Sequence, residues 1–203
     1  IVSGTSLATI IALKVARDVR LEFSSRKGGL ANARLIGYAS AEAHACNPRA
    51  FDILGLGSDA LRKIPVNDRF EMDTAALRAA IAADRGAGLQ PFALIGTAGT
   101  VNTGATDPLT ELADIAAAEN LWFHVDGAFG ALGSLVPEIA SRFAAIARAD
   151  SLAFDFHKWL HVNYDAGCVL VRDEAHHRHA FTDRPDYLKA ATRGLAAGNP
   201  WPV

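Results

Sequence analysis

Short apolar runs alternate with segments of helical periodicity along most of this chain. The run at residues 92–95 (Phe-Ala-Leu-Ile) is apolar at every position, which is typical of a strand buried on both faces. Six strands are predicted in this way, at residues 34–39, 62–66, 92–97, 121–125, 151–156 and 168–172. Helices are predicted between them, at residues 6–23, 48–54, 73–84, 107–119 and 137–149. Strands that alternate with helices predict an α/β fold, a mostly parallel sheet flanked by helices on both sides.

Helix signals and the two ends of the chain refine this outline. Asp73 and Asp107 precede helical runs and are predicted N-caps, with Pro108 in the first turn of its helix. After Arg172 the pattern loosens, and residues 174–203 are predicted to be a loop or a mobile segment. Residues 1–3 resemble the end of a strand and no initiator methionine is present, so we expect a piece of a longer protein.

Charge and composition exclude several classes of protein. Twenty Lys and Arg residues stand against 22 Asp and Glu, a formal net charge of −2, which leaves no basic surplus for a nucleic-acid partner. The longest apolar stretch falls far short of the ~20 residues that span a bilayer, so no membrane partner is expected. Two cysteines do not make a disulfide framework, which favours a cytoplasmic protein.

Three features follow predicted strands, where ligands collect in open α/β sheets. Ser3-Gly4-Thr5-Ser6 precedes a long helix and could bind an anion or form a plain N-cap. Asp126 closes an apolar strand, where it is either a cap or a carboxylate paired with a cation. Lys158 lies among aromatic and aliphatic neighbours, so it is either a nucleophile able to form a Schiff base or a lysine at the edge of the core.

Together these three features match the needs of pyridoxal 5'-phosphate. A lysine binds the cofactor's aldehyde, an acid keeps its ring nitrogen protonated, and a helix N-terminus receives its phosphate. No metal or nucleotide hypothesis explains all three, and no metal site is predicted. His44 and Cys46 could suggest a metal, but no second ligand pair with suitable spacing accompanies them. His176, His177 and His179 are expected in a solvated loop and not in a metal site.

The motifs themselves resemble those of a known family. Ser3-Gly4-Thr5-Ser6-Leu7-Ala8-Thr9, His124-Val125-Asp126-Gly127-Ala128 and His157-Lys158-Trp159-Leu160 resemble the group II pyridoxal-phosphate amino-acid decarboxylases. That group includes the aromatic-L-amino-acid, histidine and glutamate decarboxylases on the fold-type-I scaffold. The resemblance implies that residues 1–173 are an incomplete cofactor-binding large domain. Residues 174–203 would be the mobile catalytic loop and the start of the connection to a C-terminal domain.

The resemblance also implies the role of each site residue. Lys158 would be the Schiff-base lysine, Asp126 the partner of the ring nitrogen, and Tyr187 the loop residue that returns a proton after carbon dioxide leaves. His44 would stack on the ring and orient the substrate carboxylate. The remaining cofactor contacts implied in this way are Thr5, Ser6, Thr100, Ala128, Asp155 and His157.

This chain departs from the family pattern in two places. Val101 follows Thr100 where many relatives have a second threonine, and Ala45-Cys46 follows His44 where a serine pair is common. Fine details around the imidazole are therefore expected to differ, while the ring-stacking role of His44 is expected to remain.

The predicted reaction is decarboxylation of an L-amino acid, with an aromatic substrate favoured, to its amine and carbon dioxide. The resemblance implies a homodimer with a small-molecule amino-acid substrate. Three alternatives stay open: an aldehyde synthase on the same scaffold, another fold-type-I reaction, and a cofactor-binding fragment without activity. The presence of Tyr187 favours decarboxylation over aldehyde synthesis.

Overall fold

Six strands form one sheet, and their bounds agree with the predicted ones to within two residues. The structure is a computed structural model and describes residues 1–182. The strands are β1 (Leu35–Ser40), β2 (Leu61–Ile64), β3 (Gln90–Thr97), β4 (Trp122–Asp126), β5 (Ser151–Asp155) and β6 (Gly167–Val171).

The sheet has the order β2-β1-β3-β4-β5-β6, with every neighbouring pair parallel except β5 and β6. The predicted, mostly parallel sheet is therefore confirmed. Val2 extends the sheet beyond β6 through an antiparallel bridge to Gly167, with N–H to O distances of 2.9 and 2.7 Å. Residues 1–3 thus behave as the strand end that the sequence predicts.

Helices cover both faces of the sheet. They are α1 (Thr5–Arg20), α2 (Ser25–Gly28), α3 (Cys46–Ile53), α4 (Thr74–Gly86), α5 (Leu109–Ala118) and α6 (Glu174–Phe181). Side chains alternate along β3, so that Ala93 and Ile95 pack on the α1 and α3 side while Leu94 packs on the α4 and α5 side. Within residues 1–182, no helix is both long and apolar enough to cross a membrane.

The two predicted N-caps behave differently. Asp73 caps α4, where its side chain accepts hydrogen bonds from the N–H groups of Ala75 and Ala76, which confirms the prediction. The prediction for Asp107 is wrong, because its buried carboxylate accepts from the N–H groups of Thr97 and Met72 at 2.8 and 2.9 Å. Asp107 therefore ties the end of β3 to the loop before α4, and α5 begins at Leu109 without a side-chain cap.

The predicted helix at residues 137–149 is a 3₁₀ helix, Ala140–Arg148, which follows another at Gly130–Leu135. Its hydrogen bonds span three residues, as between the N–H of Ala149 and the carbonyl of Ile146. The ring of Phe143 contacts Gly133 so closely that a Cβ there would collide with it. This contact packs the two 3₁₀ helices against each other, which the helical periodicity of the sequence does not reveal.

The region after Arg172 begins with a helix instead of the predicted loop. Asp173 caps α6 by accepting from the N–H of His176 at 2.9 Å, and Glu174 pairs with Arg178 one turn later at 3.2 Å. These local interactions stabilise a short helix whose apolar face is too small to give a clear periodic signal.

The three neighbouring histidines therefore lie on a helix and not in a solvated loop. His179 stacks on Phe23 with ring centres 3.9 Å apart, and His176 lies near Trp122. In residues 1–182 no group of three or more potential ligands is arranged to hold a metal ion. The predicted domain boundary after residue 173 stays a prediction.

Candidate active site

The carboxyl ends of β3, β4 and β5 meet the N-terminus of α1 and the start of α3 around one cavity of about 190 Å³. This is the edge at which parallel α/β sheets bind ligands. The cavity is lined by Thr5, Ser6, His44, Cys46, Thr97, Gly99, Val101, Asp126, Ala128, Phe129 and Lys158. Six residues predicted from the sequence are thus brought together: Thr5, Ser6, His44, Asp126, Ala128 and Lys158.

Lys158 reaches this cavity from the segment that follows β5. Its Nζ lies 3.0 Å from Oδ2 of Asp155 and 4.2 Å from the centre of the Phe129 ring. The side chain is 24% exposed and lines the cavity. An ion pair and an aromatic face therefore hold the amine in place.

Asp126 ends β4 and is almost completely buried. Its oxygens accept from the N–H of Ala128 at 3.2 Å and from the Asn47 amide at 3.4 Å. Burial raises the pKa of Asp126, and the hydrogen bonds from Ala128 and Asn47, together with the charge of Lys158, offset this only in part. A buried carboxylate with two long neutral hydrogen bonds would be stabilised by a cation in the cavity.

The N-terminus of α1 lacks a side-chain cap of its own. Its N-cap is Gly4, and the N–H of Thr5 donates instead to Oδ1 of Asp155 at 2.7 Å. The buried Oγ1 of Thr5 has no hydrogen-bond partner, and Ser6 is exposed beside it. The helix therefore has no plain N-cap from a neighbouring side chain, and the anion site stays a prediction.

His44 stands at the opening of the cavity, just before α3. Its Nδ1 accepts from the N–H of Cys46 at 3.2 Å, which orients the exposed ring. Cys46 is buried beside it, where burial and the charge of Asp126 raise the pKa of the thiol to about 12. The cysteine therefore stays protonated at neutral pH and is a poor nucleophile.

Sequence reasoning missed several residues of this site. Asn47 contacts Asp126 from the first turn of α3, and its own Oδ1 is buried without a partner. The only sequence signal was its spacing of three positions from His44. Thr97 and Phe129 line the cavity as well, and the buried Oγ1 of Thr97 also lacks a partner.

Other predicted residues lie apart from the cavity lining. Thr100 is buried and its hydroxyl bonds that of Thr103 at 2.7 Å, so its cofactor contact stays a prediction. Asp155 and His157 lie behind Lys158, with Nε2 of His157 3.6 Å from Oδ2 of Asp155. Tyr187 lies outside the described residues.

The residues present fit pyridoxal phosphate. Buried oxygens without partners, on Thr5, Thr97 and Asn47, point to a polar ligand, because such atoms are costly to leave unpaired. Lys158 would hold the aldehyde carbon and Asp126 the ring nitrogen. Thr5 and Ser6, with the α1 N-terminus, would hold the phosphate.

Comparison with known proteins identifies the family. Residues 1–200 match the family model of the pyridoxal-dependent decarboxylase conserved domain. The chain belongs to the pyridoxal-dependent decarboxylase family. Among curated members of this family, it is 38% identical to an aromatic-L-amino-acid decarboxylase of Bacillus atrophaeus over 188 residues, covering 93% of this chain and 38% of that protein. It is 36% identical to the mouse histidine decarboxylase over 200 residues, covering 96% of this chain and 30% of that protein.

Solved structures of this decarboxylase family share the fold. Mouse CSAD superimposes with a TM-score of 0.87 and 31% identity, over 91% of this chain and 39% of that one. Oryza sativa TDC, solved with PLP and tryptamine, has a TM-score of 0.84 and 33% identity, over 92% of this chain and 39% of that one. A 4-hydroxyphenylacetaldehyde synthase of Rhodiola rosea has a TM-score of 0.81 and 30% identity, over 88% of this chain and 38% of that one.

These comparisons confirm the predicted decarboxylase family, the fold-type-I large domain and pyridoxal phosphate as the cofactor of the family. This chain spans less than half the length of each of these relatives.

Proposed function

We propose that this chain is the cofactor-binding part of an enzyme that converts an L-amino acid to its amine and carbon dioxide. The observation that carries the proposal is the convergence of the Lys158 amine and the buried carboxylate of Asp126 on one cavity. The family membership of the chain supports it.

Lys158 and Asp126 have separate roles in this proposal. Lys158 would hold the cofactor through its aldehyde carbon. Asp126 would hold a proton on the ring nitrogen, and its burial would strengthen that interaction because little water competes. When bound, pyridoxal phosphate supplies an electron-accepting ring for the electrons of the breaking carbon–carboxylate bond.

Two residues act on the substrate in this proposal. The exposed ring of His44, oriented by the N–H of Cys46, would contact the substrate carboxylate and stack on the cofactor ring. Tyr187 delivers the proton that replaces the lost carboxylate, on the basis of the family resemblance of its segment. An aromatic substrate is favoured because the similar Bacillus protein is an aromatic-L-amino-acid decarboxylase and Phe129 adds an aromatic wall to the cavity.

Assembly and location belong to the same proposal. Four large apolar side chains that follow Lys158 are 45 to 75% exposed, namely Trp159, Leu160, Val162 and Tyr164. Such a patch beside a site is typical of a protein interface and supports a homodimer. Both cysteines, Cys46 and Cys168, are free thiols, which supports a cytoplasmic location.

The test uses the full protein and its Lys158→Ala variant, supplied with pyridoxal phosphate and a set of L-amino acids. The wild type should show the visible absorbance of the lysine-bound cofactor and release carbon dioxide and amine in equal amounts, while the variant should lose both. Turnover that survives in Lys158→Ala would refute the assignment. Aldehyde and peroxide in place of amine would instead support the second candidate, an aldehyde synthase, which the similarity to the Rhodiola rosea enzyme favours.

A wild-type protein that shows the visible band but releases neither carbon dioxide nor amine would support the remaining alternative, a cofactor-binding fragment without activity. Release of a keto acid without carbon dioxide would indicate another fold-type-I reaction.

A further inference from the structure

The carboxylate of Asp155 is bonded to the N-terminus of α1, the helix end that would hold the cofactor's phosphate. Asp155 is the last residue of β5 and is 3% exposed. Its Oδ1 accepts from the N–H of Thr5, the first residue of α1, at 2.7 Å. Because α1 has a glycine N-cap and no acidic residue in its first turn, Asp155 supplies from β5 the negative charge that this helix end favours.

The surroundings of this carboxylate are closely built. A Cβ on Gly167 would lie 2.9 Å from Oδ1 of Asp155 and 2.6 Å from Cα of Gly4. Only a residue without a side chain therefore allows β5, β6 and the start of α1 to approach in this way. The position of Asp155 follows from packing of three elements and not from a freely rotating side chain.

The second oxygen of Asp155 faces two more donors. Oδ2 lies 3.0 Å from Nζ of Lys158 and 3.6 Å from Nε2 of His157. The other ring nitrogen of His157 accepts from the N–H of Ala166 at 3.0 Å, so Nε2, which faces Asp155, is the ring nitrogen that can donate. Asp155 thus contacts the N–H of Thr5 and the amine of Lys158, the same groups that a phosphate and an aldehyde would contact.

We propose that Asp155 is a built-in competitor of the cofactor's phosphate, holding the α1 N-terminus and Lys158 together and thereby weakening phosphate binding. This inference rests on the proposed function of the site. Two negative groups at one helix end repel each other. The charge of Asp155 therefore lowers the affinity for a ligand with a phosphate but not for a ligand without one. Removing the charge while keeping the hydrogen-bond acceptor should therefore increase selectivity for the phosphorylated cofactor.

The test compares pyridoxal phosphate with pyridoxal, which has the same ring and aldehyde but no phosphate. Dissociation constants for both are measured by spectral titration of the full protein and of Asp155→Asn, whose amide oxygen can still accept from Thr5. The ratio of the pyridoxal constant to the pyridoxal phosphate constant should rise about tenfold in Asp155→Asn, since one charge is removed a few ångströms away. A ratio that is unchanged or lower would overturn the proposal.

A matched control is Asp173→Asn, because Asp173 caps α6 with a side-chain acceptor far from the cavity. Its ratio should equal that of the wild type, and a rise as large as in Asp155→Asn would also overturn the proposal.

A second measurement separates this inference from the proposed function. Thermal unfolding is followed with inorganic phosphate as the only ligand, and phosphate should raise the midpoint more in Asp155→Asn than in the wild type. Equal shifts would refute the inference even if pyridoxal phosphate binds. Absence of a visible band with pyridoxal phosphate would refute the proposed function and leave the phosphate comparison still decisive for Asp155.

Discussion

Two buried carboxylates in this molecule have opposite surroundings. Asp18, on α1, is completely buried and accepts from Lys14 at 2.6 Å, from Arg17 at 2.8 Å and from Ser25 at 2.8 Å. Burial alone would raise the pKa of Asp18, but these hydrogen bonds outweigh it and hold the pKa below its usual value. Asp126, at the cavity, accepts only from a backbone N–H and an amide at longer distances, and burial raises its pKa.

The difference separates a buried acid whose charge is fully paired from one whose pairing a ligand would complete. The Asp18 cluster joins elements, because Lys14 also donates to the carbonyl of Ala180 at the end of α6. Every oxygen of Asp18 has a charged or hydroxyl partner, so its buried charge requires no ligand to stabilise it. Asp126 lacks such a partner and faces a cavity, which is the arrangement expected where a cationic ligand completes the pairing.

The largest expected effect comes from Asp126→Asn. Without the negative charge the ring nitrogen would not stay protonated, so turnover should fall by about a hundredfold to a thousandfold. The free energy of unfolding without cofactor should stay the same or rise, since a buried charge with weak partners is removed. Turnover assays and urea unfolding of the two proteins check this, and a strong loss of stability would place Asp126 in the same class as Asp18.

The reverse is expected of Asp18→Asn. Removing this charge leaves Lys14 and Arg17 with a weaker acceptor inside the structure, which should cost about 3 kcal/mol of unfolding free energy. Turnover per folded molecule should change little, because the cluster does not line the cavity. Urea unfolding and active-site titration measure the two effects, and a stable Asp18→Asn protein with lost turnover would contradict the comparison.

His124 is a third buried titratable group, and one of its ring nitrogens also lacks a hydrogen-bond partner. It lies on β4 two residues before Asp126; its Nδ1 bonds Ser151 at 2.9 Å, while its buried Nε2 has no partner. Burial lowers the pKa of His124 to about 4. Between pH 6.5 and 4 the unfolded chain therefore binds a proton that the folded protein does not, so this residue makes stability fall as the pH falls.

Replacing His124 by Gln should remove that contribution. Relative to the variant, the wild type should lose about 2 kcal/mol of unfolding free energy between pH 7 and pH 5. Burial also raises the pKa of Asp107 to about 6, which acts in the opposite direction but is common to both proteins. Urea unfolding at several pH values measures the difference, and parallel stability curves would show that His124 is not kept neutral by burial.

The smallest expected effect is that of Thr5→Val, which removes the unpartnered hydroxyl at the α1 N-terminus while keeping the shape of the side chain. Without cofactor the variant should be more stable by up to about 1 kcal/mol, because a buried polar atom without a partner is lost. Its affinity for pyridoxal phosphate should fall about tenfold, the value of one hydrogen bond to a charged group. Calorimetry and spectral titration test the two halves, and a loss of stability would mean that the hydroxyl has a structural partner.

Much of the fold could be predicted because its signals are local. The six strands are runs of apolar residues, and Asp73 precedes its helix as a cap should. The short helix α6 was not predicted, because it is stabilised by the Asp173 cap and an ion pair and buries only Ala180. Asp107 was predicted to cap α5, yet its carboxylate finds two N–H groups that only the folded chain brings to it.

The sequence by itself determined the six strands, most of the helices between them and the family, and it predicted the roles of Lys158 and Asp126. Side-chain type and spacing along the chain are sufficient for these. Only the tertiary structure decided which buried carboxylates are fully paired and which are not. Asn47 reaches Asp126 across 79 positions of sequence, and Asp155 reaches Thr5 across 150. Hydrogen bonding and burial depend on what packs nearby in space, and packing over such separations leaves no local pattern in the sequence.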